Sequence, residues 1–308
     1  MRVTVIGGGV SREHDVSRRS AAAVAGALAA RHDVEELDIE PHGGWSREGR
    51  TLTAAEVVSA LQRAEVVFPA LHGAGGEDGA IQGFLTTLGI PFVGCGIEAS
   101  AVCLRKDLTK QVLAAHGVDV VDGVVVSDAA SARAALARLG APVVVKPLSD
   151  GSSVGVLIAE DADTIADAAR ERPVLVERYA GGVEVDLGVV ELDGERRVGT
   201  PLEIERRAGG VFDADQKYGG APPFVLPARL PDGVRERLIA ASLHVFDVLG
   251  CAGVARVDWF VDGDRLLCNE VNTMPGMTAA SQLPLMFADA GIPFDELVDG
   301  MVRQAVAG

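Results

Sequence analysis

The sequence predicts a mixed α/β chain, parallel α/β at its start and α+β overall, and three observations carry that reading. Short apolar strands alternate with helical stretches up to residue 95, a Rossmann-like pattern. The pattern changes at Ile97, where a second domain begins. The 308 residues, 48% of them hydrophobic, suffice for two or three compact cores. Lys plus Arg is 28 against 44 Asp plus Glu, and the resulting net charge of −16 disfavours nucleic acid as a partner. Any phosphate must be held by local lysines or by metal. Cys95, Cys103, Cys251 and Cys268 show no paired spacing and sit in apolar runs. They read as buried thiols of a cytoplasmic protein. The chain opens on a strand and no run reaches the ~18 to 20 apolar residues of a membrane span, so neither secretion nor insertion is expected.

Taken in order, Arg2 to Ile6 is a strand ending in Gly7-Gly8-Gly9, and Val16 to Ala30 is an alanine-rich helix. Val34 to Ile39 and Val66 to Leu71 repeat the strand signal around a helix at Ala54 to Ala64. Gly7-x-Gly9 is part of a dinucleotide fingerprint, but Arg12 stands at its third glycine position and would obstruct close packing on a pyrophosphate. The turn instead carries Ser11, Arg12, Glu13, His14 and Asp15 at the C-terminal edge of a strand, where α/β proteins bind ligands. Glu13 is a candidate to hold a substrate ammonium, the alternative being a helix N-terminal acid that offsets the dipole. His72 lies at a second strand end beside the glycine-rich LHGAGGEDGAIQG, where Glu77-Asp78 opens a helix. It is either a substrate-site residue or an ordinary loop histidine.

Ala99 to Ala115 reads as one helix and concentrates Arg105, Lys106 and Lys110 in an acidic chain. Strands at Val120 to Val126, Pro142 to Lys146, Val154 to Ala159 and Val174 to Glu177 enclose helices near Ala130 to Leu139 and Ala162 to Arg170. The connection KPLSDGSSVG from Lys146 to Gly155 is not a Walker A loop, because the lysine precedes the glycines. It can still cover phosphates with N–H groups and hydroxyls while Lys146 reaches in from the strand end, as a ligand-holding and not a core residue; the alternative is a hairpin tip. Ala180-Gly181-Gly182 breaks the next strand pair and is a candidate hinge. Residues 206 to 220 form a polar, glycine-rich functional loop with Lys217 and Tyr218 near its end. Helices follow at Pro231 to Leu249, from Thr278, where Ser281 and N-terminal N–H groups suit an anion, and at Pro293 to Ala305.

Gly253 to Thr278 is the stretch on which the rest depends. Val254 to Val261 and Arg265 to Asn272 flank Asp262-Gly263-Asp264, a hairpin signal. Alternation puts Arg256, Asp258 and Phe260 on one face, and Leu266, Cys268, Glu270 and Asn272 on one face of the second strand. With a three-residue loop, Arg256 falls opposite Glu270 and Asp258 sits diagonally from it; a two-residue loop would separate them. Carboxylates on a partly apolar face need compensating charge, and two carboxylates with an amide oxygen suit Mg2+ or Mn2+.

These stretches together resemble the D-alanine:D-alanine ligase family of the ATP-grasp ligases. The resemblance rests on SREHDVS (11–17), LHGAGGEDGAIQG (71–83), KPLSDGSSVGV (146–156), VERY (176–179), DADQKY (213–218), ARVDWF and NEVNTMPGMT, in order along nearly the whole chain. It implies an N-terminal α/β substrate domain (1–97), a central ATP-grasp lid domain (98–180) and a C-terminal domain with metal and catalytic residues (181–308). It implies that Lys106 and Lys146 hold ATP phosphates under the Gly151 to Gly155 loop with Ser153. Glu177, the backbone of Arg178 and Ala180, Glu184 and Asn269 complete the ATP site. Asp258, Glu270 and Asn272 ligate two Mg2+ ions, or Mn2+. Glu13 binds the ammonium of the first D-alanine, in a hydrogen-bonded set with Ser152 and Tyr218; His72, Lys217, Gly276 and Ser281 serve the substrates, and Arg256 steadies the tetrahedral intermediate. Leu104-Arg105, Tyr179 and Ser149-Asp150 depart from the family's usual residues.

The implied reaction joins two D-alanines through an acyl phosphate, giving ADP and phosphate for peptidoglycan synthesis, in a cytoplasmic homodimer. A carboxylate is a poor electrophile and must be activated, and an acyl phosphate must be kept from water. The alternative is an ATP-grasp ligase joining other amino acids in specialised metabolism.

Overall fold

In the computed structural model, which describes residues 1–151, 155–205 and 224–307, the chain forms three sheets. The first has β1 (Arg2–Gly8) at its heart, parallel to β2 (Asp33–Ile39) on one side and β5 (Val66–Pro69) on the other. A short hairpin, β3 (Trp45–Arg47) and β4 (Arg50–Leu52), extends the β2 edge antiparallel. Its two turn residues, Glu48 and Gly49, both have positive φ (49° and 76°), the backbone that suits a right-twisted two-residue turn. Three-residue strands are too short to show alternation, and the sequence reading passes over them. Helix α1 (His14–Leu28) follows the glycines, α2 (Ala54–Arg63) starts at a reciprocal Thr53–Glu56 capping box, and α3 (Ala80–Thr87) starts after Gly79. The last begins later than expected because Asp78 caps the Ala80 N–H (3.0 Å) while Glu77 turns inward.

The predicted helix at 99–115 is two helices, α4 (Ile97–Leu104) and α5 (Lys106–Ala115), broken at Arg105, whose backbone is extended (φ −86°, ψ 94°). The break lets the Lys106 N–H reach Leu148 O (3.0 Å), which ties the start of α5 to the glycine-rich loop. Both helices pack their buried faces, Ala99, Cys103 and Leu113, against the largest sheet. The second sheet is antiparallel, in the order β6 (Gly123–Val126), β9 (Val174–Arg178), β7 (Val143–Pro147), β8 (Leu157–Ala159). Helices α6 (Ala129–Leu139) and α7 (Ala162–Ala168) seal its core through Ala132, Ala135, Leu139 and Ile165.

The third sheet is built on β10 (Val183–Leu192), which pairs with β14 (Val254–Asp262), β12 (Leu202–Ile204) and β11 (Glu195–Val198). Strands β13 (Phe224–Val225) and β15 (Arg265–Asn272) form its edges. Helix α8 (Val234–Val248) packs on one face, and α9 (Gln282–Asp289) and α10 (Phe294–Ala307) close a core shared with β1, β5 and α1. The predicted helix at Thr278 therefore begins at Gln282, with Thr278 to Ser281 a turn in which the Thr278 N–H donates to Ser281 Oγ (3.1 Å). Gly182 (φ 82°) is explained by proximity: a Cβ there would lie 2.2 Å from Val261 O. All four cysteines are free and buried, and among the described residues no helix is long and apolar enough to cross a membrane.

The β14–β15 hairpin corrects the predicted register. Asp262 pairs with Arg265, so the turn has two residues, and Trp259 pairs with Cys268. One residue further the register shifts and Asp258 pairs with Glu270, leaving Asn269 as an extra residue on β15. Without that bulge the two-residue turn would put Asp258 and Glu270 on opposite faces. With it, Asp258 faces Glu270 directly and Arg256 faces Asn272, while Cys268 and Leu266 join the core on the other side with Trp259 and Val261.

Candidate active site

A cleft with about 750 Å³ of empty space opens between the second and third sheets. Lys106 from the start of α5, Lys146 from β7, Glu177 from β9 and Glu270 from β15 all face it. Its charges are organised around Glu177, which is 1% exposed. Lys110 Nζ is 2.6 Å from one carboxylate oxygen and Lys146 Nζ is 2.7 Å from the other. Burial pushes the Glu177 carboxyl up, but the two lysines outweigh it and hold it below its ordinary value. Burial likewise works to lower Lys146, and Glu177 and Glu270 outweigh it, so it stays firmly protonated. Lys146 Nζ also donates to Asn269 Oδ1 (2.7 Å), the residue the bulge sets free. At 9% exposure Lys146 is thus part of a buried charge cluster as well as a cleft wall, which corrects its reading as a ligand-holding residue outside the core. Lys106 Nζ lies 3.5 Å from Glu270 Oε2 and donates to Asp150 O (2.8 Å). Arg178, Tyr179, Ala180 and Glu184 line the same cleft.

Beside it stands the Arg256 cluster. Arg256 Nε and Nη2 donate to the two oxygens of Asp258 (2.7 and 2.8 Å), and Nη1 donates to Gln282 Oε1 (2.7 Å). Asp186, 0% exposed, lies 3.4 Å from Arg256 Nε and accepts from Gln282 Nε2 at 2.6 Å. Burial would lower the guanidinium pKa, and Asp258 and Asp186 raise it instead. Asn272 Nδ2 donates to Asp258 Oδ2 (3.0 Å). Asp258, Glu270 and Asn272 therefore share one face as adjacent hard-oxygen donors. That donor chemistry fits Mg2+ or Mn2+.

A second cavity, with about 1010 Å³ of empty space, is lined by Ser11, Arg12, Glu13, Gly73, Asp150 and Gly151 among others. Asp150 and Gly151 line both cavities, so this loop is where they meet. Glu13 is gripped from two sides. A Cβ on Gly151 would lie 2.4 Å from Glu13 Oε2, and one on Gly73 (φ 72°) 2.8 Å from it. A side chain at either position would displace the carboxylate, and at Gly73 the positive φ itself favours glycine. His72, 5% exposed, has both ring nitrogens engaged, Nδ1 with Met274 O (2.8 Å) and Nε2 with Ser20 Oγ (2.9 Å).

Residues 46–95 match the family model for the D-ala D-ala ligase N-terminus, and residues 112–303 match that for the D-ala D-ala ligase C-terminus. The chain belongs to the D-alanine–D-alanine ligase family. It is 41% identical to a D-alanine--D-alanine ligase of Anaeromyxobacter sp. (strain Fw109-5), over 99% of this chain and 96% of that protein. It is 40% identical to that of Gluconobacter oxydans (strain 621H), over 100% of both. The solved D-alanine-D-alanine ligase from Coxiella burnetii superposes with a TM-score of 0.84 at 28% identity, covering 100% of this chain and 94% of that one. A D-Ala:D-Ser ligase from Enterococcus faecalis gives 0.85 at 30% identity, covering 99% of each. The fold is accordingly that of the ATP-grasp D-alanine ligases.

In this family member the structure brings Lys106, Lys146, Glu177, Arg178, Ala180, Glu184, Asn269 and Glu270 to one cleft, with Gly151 between it and Glu13. Gly276 packs on Ser281, where a Cβ would lie 3.0 Å from the hydroxyl. Ser152, Ser153, Lys217 and Tyr218 lie outside the described residues. Sequence reasoning missed Lys110, Asp186, Gln282 and the inward role of Glu77. Lys110 had a signal: it is four residues from Lys106 on α5, hence on the same helix face.

Proposed function

We propose that this chain condenses two molecules of D-alanine to D-alanyl-D-alanine, converting ATP to ADP and phosphate through an acyl phosphate of the first D-alanine. The observation that carries this reading is the meeting of two cavities at Asp150 and Gly151, one lined with lysines and acids, the other holding Glu13. The first suits a nucleotide triphosphate and the second a small ammonium compound. Lys106 and Lys146 hold the phosphates, and Glu177, Arg178, Ala180, Glu184 and Asn269 surround the rest of the nucleotide. Glu13 orients the first D-alanine by its ammonium, with Ser152 and Tyr218 as partners. Asp258, Glu270 and Asn272 hold two Mg2+ or Mn2+ ions, which supply neutralising charge for phosphoryl transfer. Arg256, held by Asp258, Asp186 and Gln282, supplies fixed positive charge for the oxyanion formed when the second amine attacks. Lys217, Gly276 and Ser281 receive the second carboxylate.

Relatives near 40% identity over their full length carry the D-alanine–D-alanine name, which supports D-alanine over other second substrates. The domain limits 1–97, 98–180 and 181–308, a homodimer and a cytoplasmic setting belong to the same reading; the four free buried thiols support the last. Mixing the protein with ATP, Mg2+ and D-alanine should release phosphate and give the dipeptide mass. Phosphate release that does not depend on D-alanine, or that responds better to another amino acid pair, would overturn the reading.

A further inference from the structure

Outside the charges used above, Glu77 is a buried acid whose two oxygens accept from two segments far apart in the chain. Its Oε1 accepts the Met274 N–H (3.1 Å) and its Oε2 accepts the Gly73 N–H (2.8 Å). It therefore ties a loop of the first sheet to a segment 197 residues away in sequence. That segment is held at two further points. A carbonyl can only accept, so His72 Nδ1 carries the proton donated to Met274 O (2.8 Å), and Nε2 accepts from Ser20 Oγ (2.9 Å). Ser20 Oγ in turn accepts the Met277 N–H (3.2 Å). Burial lowers the His72 pKa, which keeps the ring neutral and the relay in this one sense. Both polar groups of the Met274 backbone are thus taken by side chains from residues 72 and 77.

What Glu77 joins is functional on both sides. Gly73 presses on Glu13, and Met274 to Met277 lead from Asn272 to the Gly276–Ser281 contact. We propose that Glu77 is a positioning residue that sets the second-substrate segment, 274 to 281, against the Glu13 loop, and so fixes the distance between the two D-alanine sites. The inference rests on the function proposed above. A carboxylate suits this post because it accepts two N–H groups converging from different segments, which a glutamine cannot do without turning its NH2 against one of them.

The group is also set to respond to pH. Burial pushes the Glu77 carboxyl up to about 7, Glu13 on the neighbouring loop adds to the rise, and the two backbone N–H groups and Arg256 on β14 oppose it. The neutral His72 and the Asp78 carboxylate, which accepts the Gly75 N–H, complete its surroundings. Protonation weakens one of the two accepting oxygens, so the latch is tightest above pH 7.

The test compares the parent with Glu77→Gln and Glu77→Asp at pH 8 in full-length enzyme. The Michaelis constant for the second D-alanine should rise about tenfold or more, as a lost charge-assisted hydrogen bond implies. ATP affinity should stay within about twofold, since Glu77 does not line the nucleotide cleft. Backbone amides of 272–281 should exchange faster with solvent, and the difference in Michaelis constant should shrink below pH 7. Unchanged Michaelis constants, an equal loss of ATP affinity, or unaltered exchange in 272–281 would each overturn the role. The exchange measurement needs no turnover, so it judges Glu77 even where the parent shows no D-alanine-dependent phosphate release, the result that defeats the function itself.

Discussion

Replacing Lys146 by methionine keeps the hydrocarbon stem and removes the ammonium, which separates its part in the fold from its part in nucleotide binding. The ammonium sits 2.7 Å from both Glu177 Oε2 and Asn269 Oδ1, in a largely buried cluster at the wall of the cleft. Removing one partner of a buried ion pair costs about 3–5 kcal/mol. Lys110 still contacts the other Glu177 oxygen, so the lower end, about 3 kcal/mol, is expected, or a melting temperature roughly 6–12 °C lower. The loss must depend on pH. In the parent, burial raises the Glu177 carboxyl but the lysines depress it further, so its contribution is present above the usual 4.5 and disappears as pH falls through the depressed value. The gap between parent and variant should therefore be full at pH 7 and narrow on acidification below 4.5. Affinity for ATP should drop about 10- to 100-fold, the worth of one charge-assisted contact to phosphate. Adding Glu177→Gln would orphan Lys110, whose ammonium lies 2.6 Å from the other Glu177 oxygen, so the double variant Lys146→Met with Glu177→Gln should melt no higher than the single one and recover none of the lost affinity. Thermal melts beside a nucleotide titration read both quantities. If the single variant melts with the parent, or the double variant recovers ATP affinity, the reading of Lys146 as shared between core and ligand is wrong.

Glu270→Gln removes a charged donor from the Asp258 face, and dipeptide synthesis at saturating Mg2+ should fall on the order of 100-fold with an unchanged circular dichroism spectrum; parental rates would sink the metal assignment. Glu77 supplies a stability test of opposite sign to Glu177: a carboxyl displaced from 4.5 to about 7 destabilises the folded state by about 3 kcal/mol once both forms are ionised. That contribution is absent below pH 4.5 and grows through pH 7, so Glu77→Gln should gain in melting temperature relative to the parent between pH 5 and pH 8; a difference that is flat with pH would contradict it. Tyr218→Phe should raise the yield of D-alanyl-D-lactate relative to dipeptide near neutral pH when D-alanine and D-lactate compete, read by product mass from pH 6 to 9. Identical ratios in variant and parent would remove Tyr218 from the site.

How far the site can be read from sequence depends on the range over which each contact is made. Strand ends with glycine after them are local features, so the turn at Glu13, the loop at 146–155 and the hairpin at 254–272 are all legible from composition and alternation. The reason for individual glycines is not. Gly73 and Gly151 lie 78 residues apart and both yield space to one carboxylate, which no local pattern records. The hairpin shows how a correct set of residues can follow from an incorrect register. Alternation with a three-residue loop groups Asp258, Glu270 and Asn272, whereas the structure reaches the same group with a two-residue turn and a bulge at Asn269. A bulge has no composition of its own here, because Asn269 looks like any polar strand residue until its partner, Lys146, is placed.

The same limit explains why Lys146 and His72 read too simply. Judged from its neighbours, each is a polar residue at a strand end, the usual place for a ligand contact. In the fold each is buried, because its partners arrive from distant segments: Asn269 for Lys146, Met274 and Ser20 for His72. Desolvation makes such partners obligatory, since an unpaired ammonium or imidazole there would cost several kcal/mol. A site assembled from three sheets therefore has to carry much of its charge inside, and the groups that bind ligand double as the groups that hold the sheets together. Lys146 of the second sheet pairs with Glu177 beside it and donates to Asn269 of the third, as Glu77 joins the Gly73 loop to the Met274 segment. Substitutions in such residues should change affinity and stability together, and pH-resolved melts beside ligand titrations separate the two.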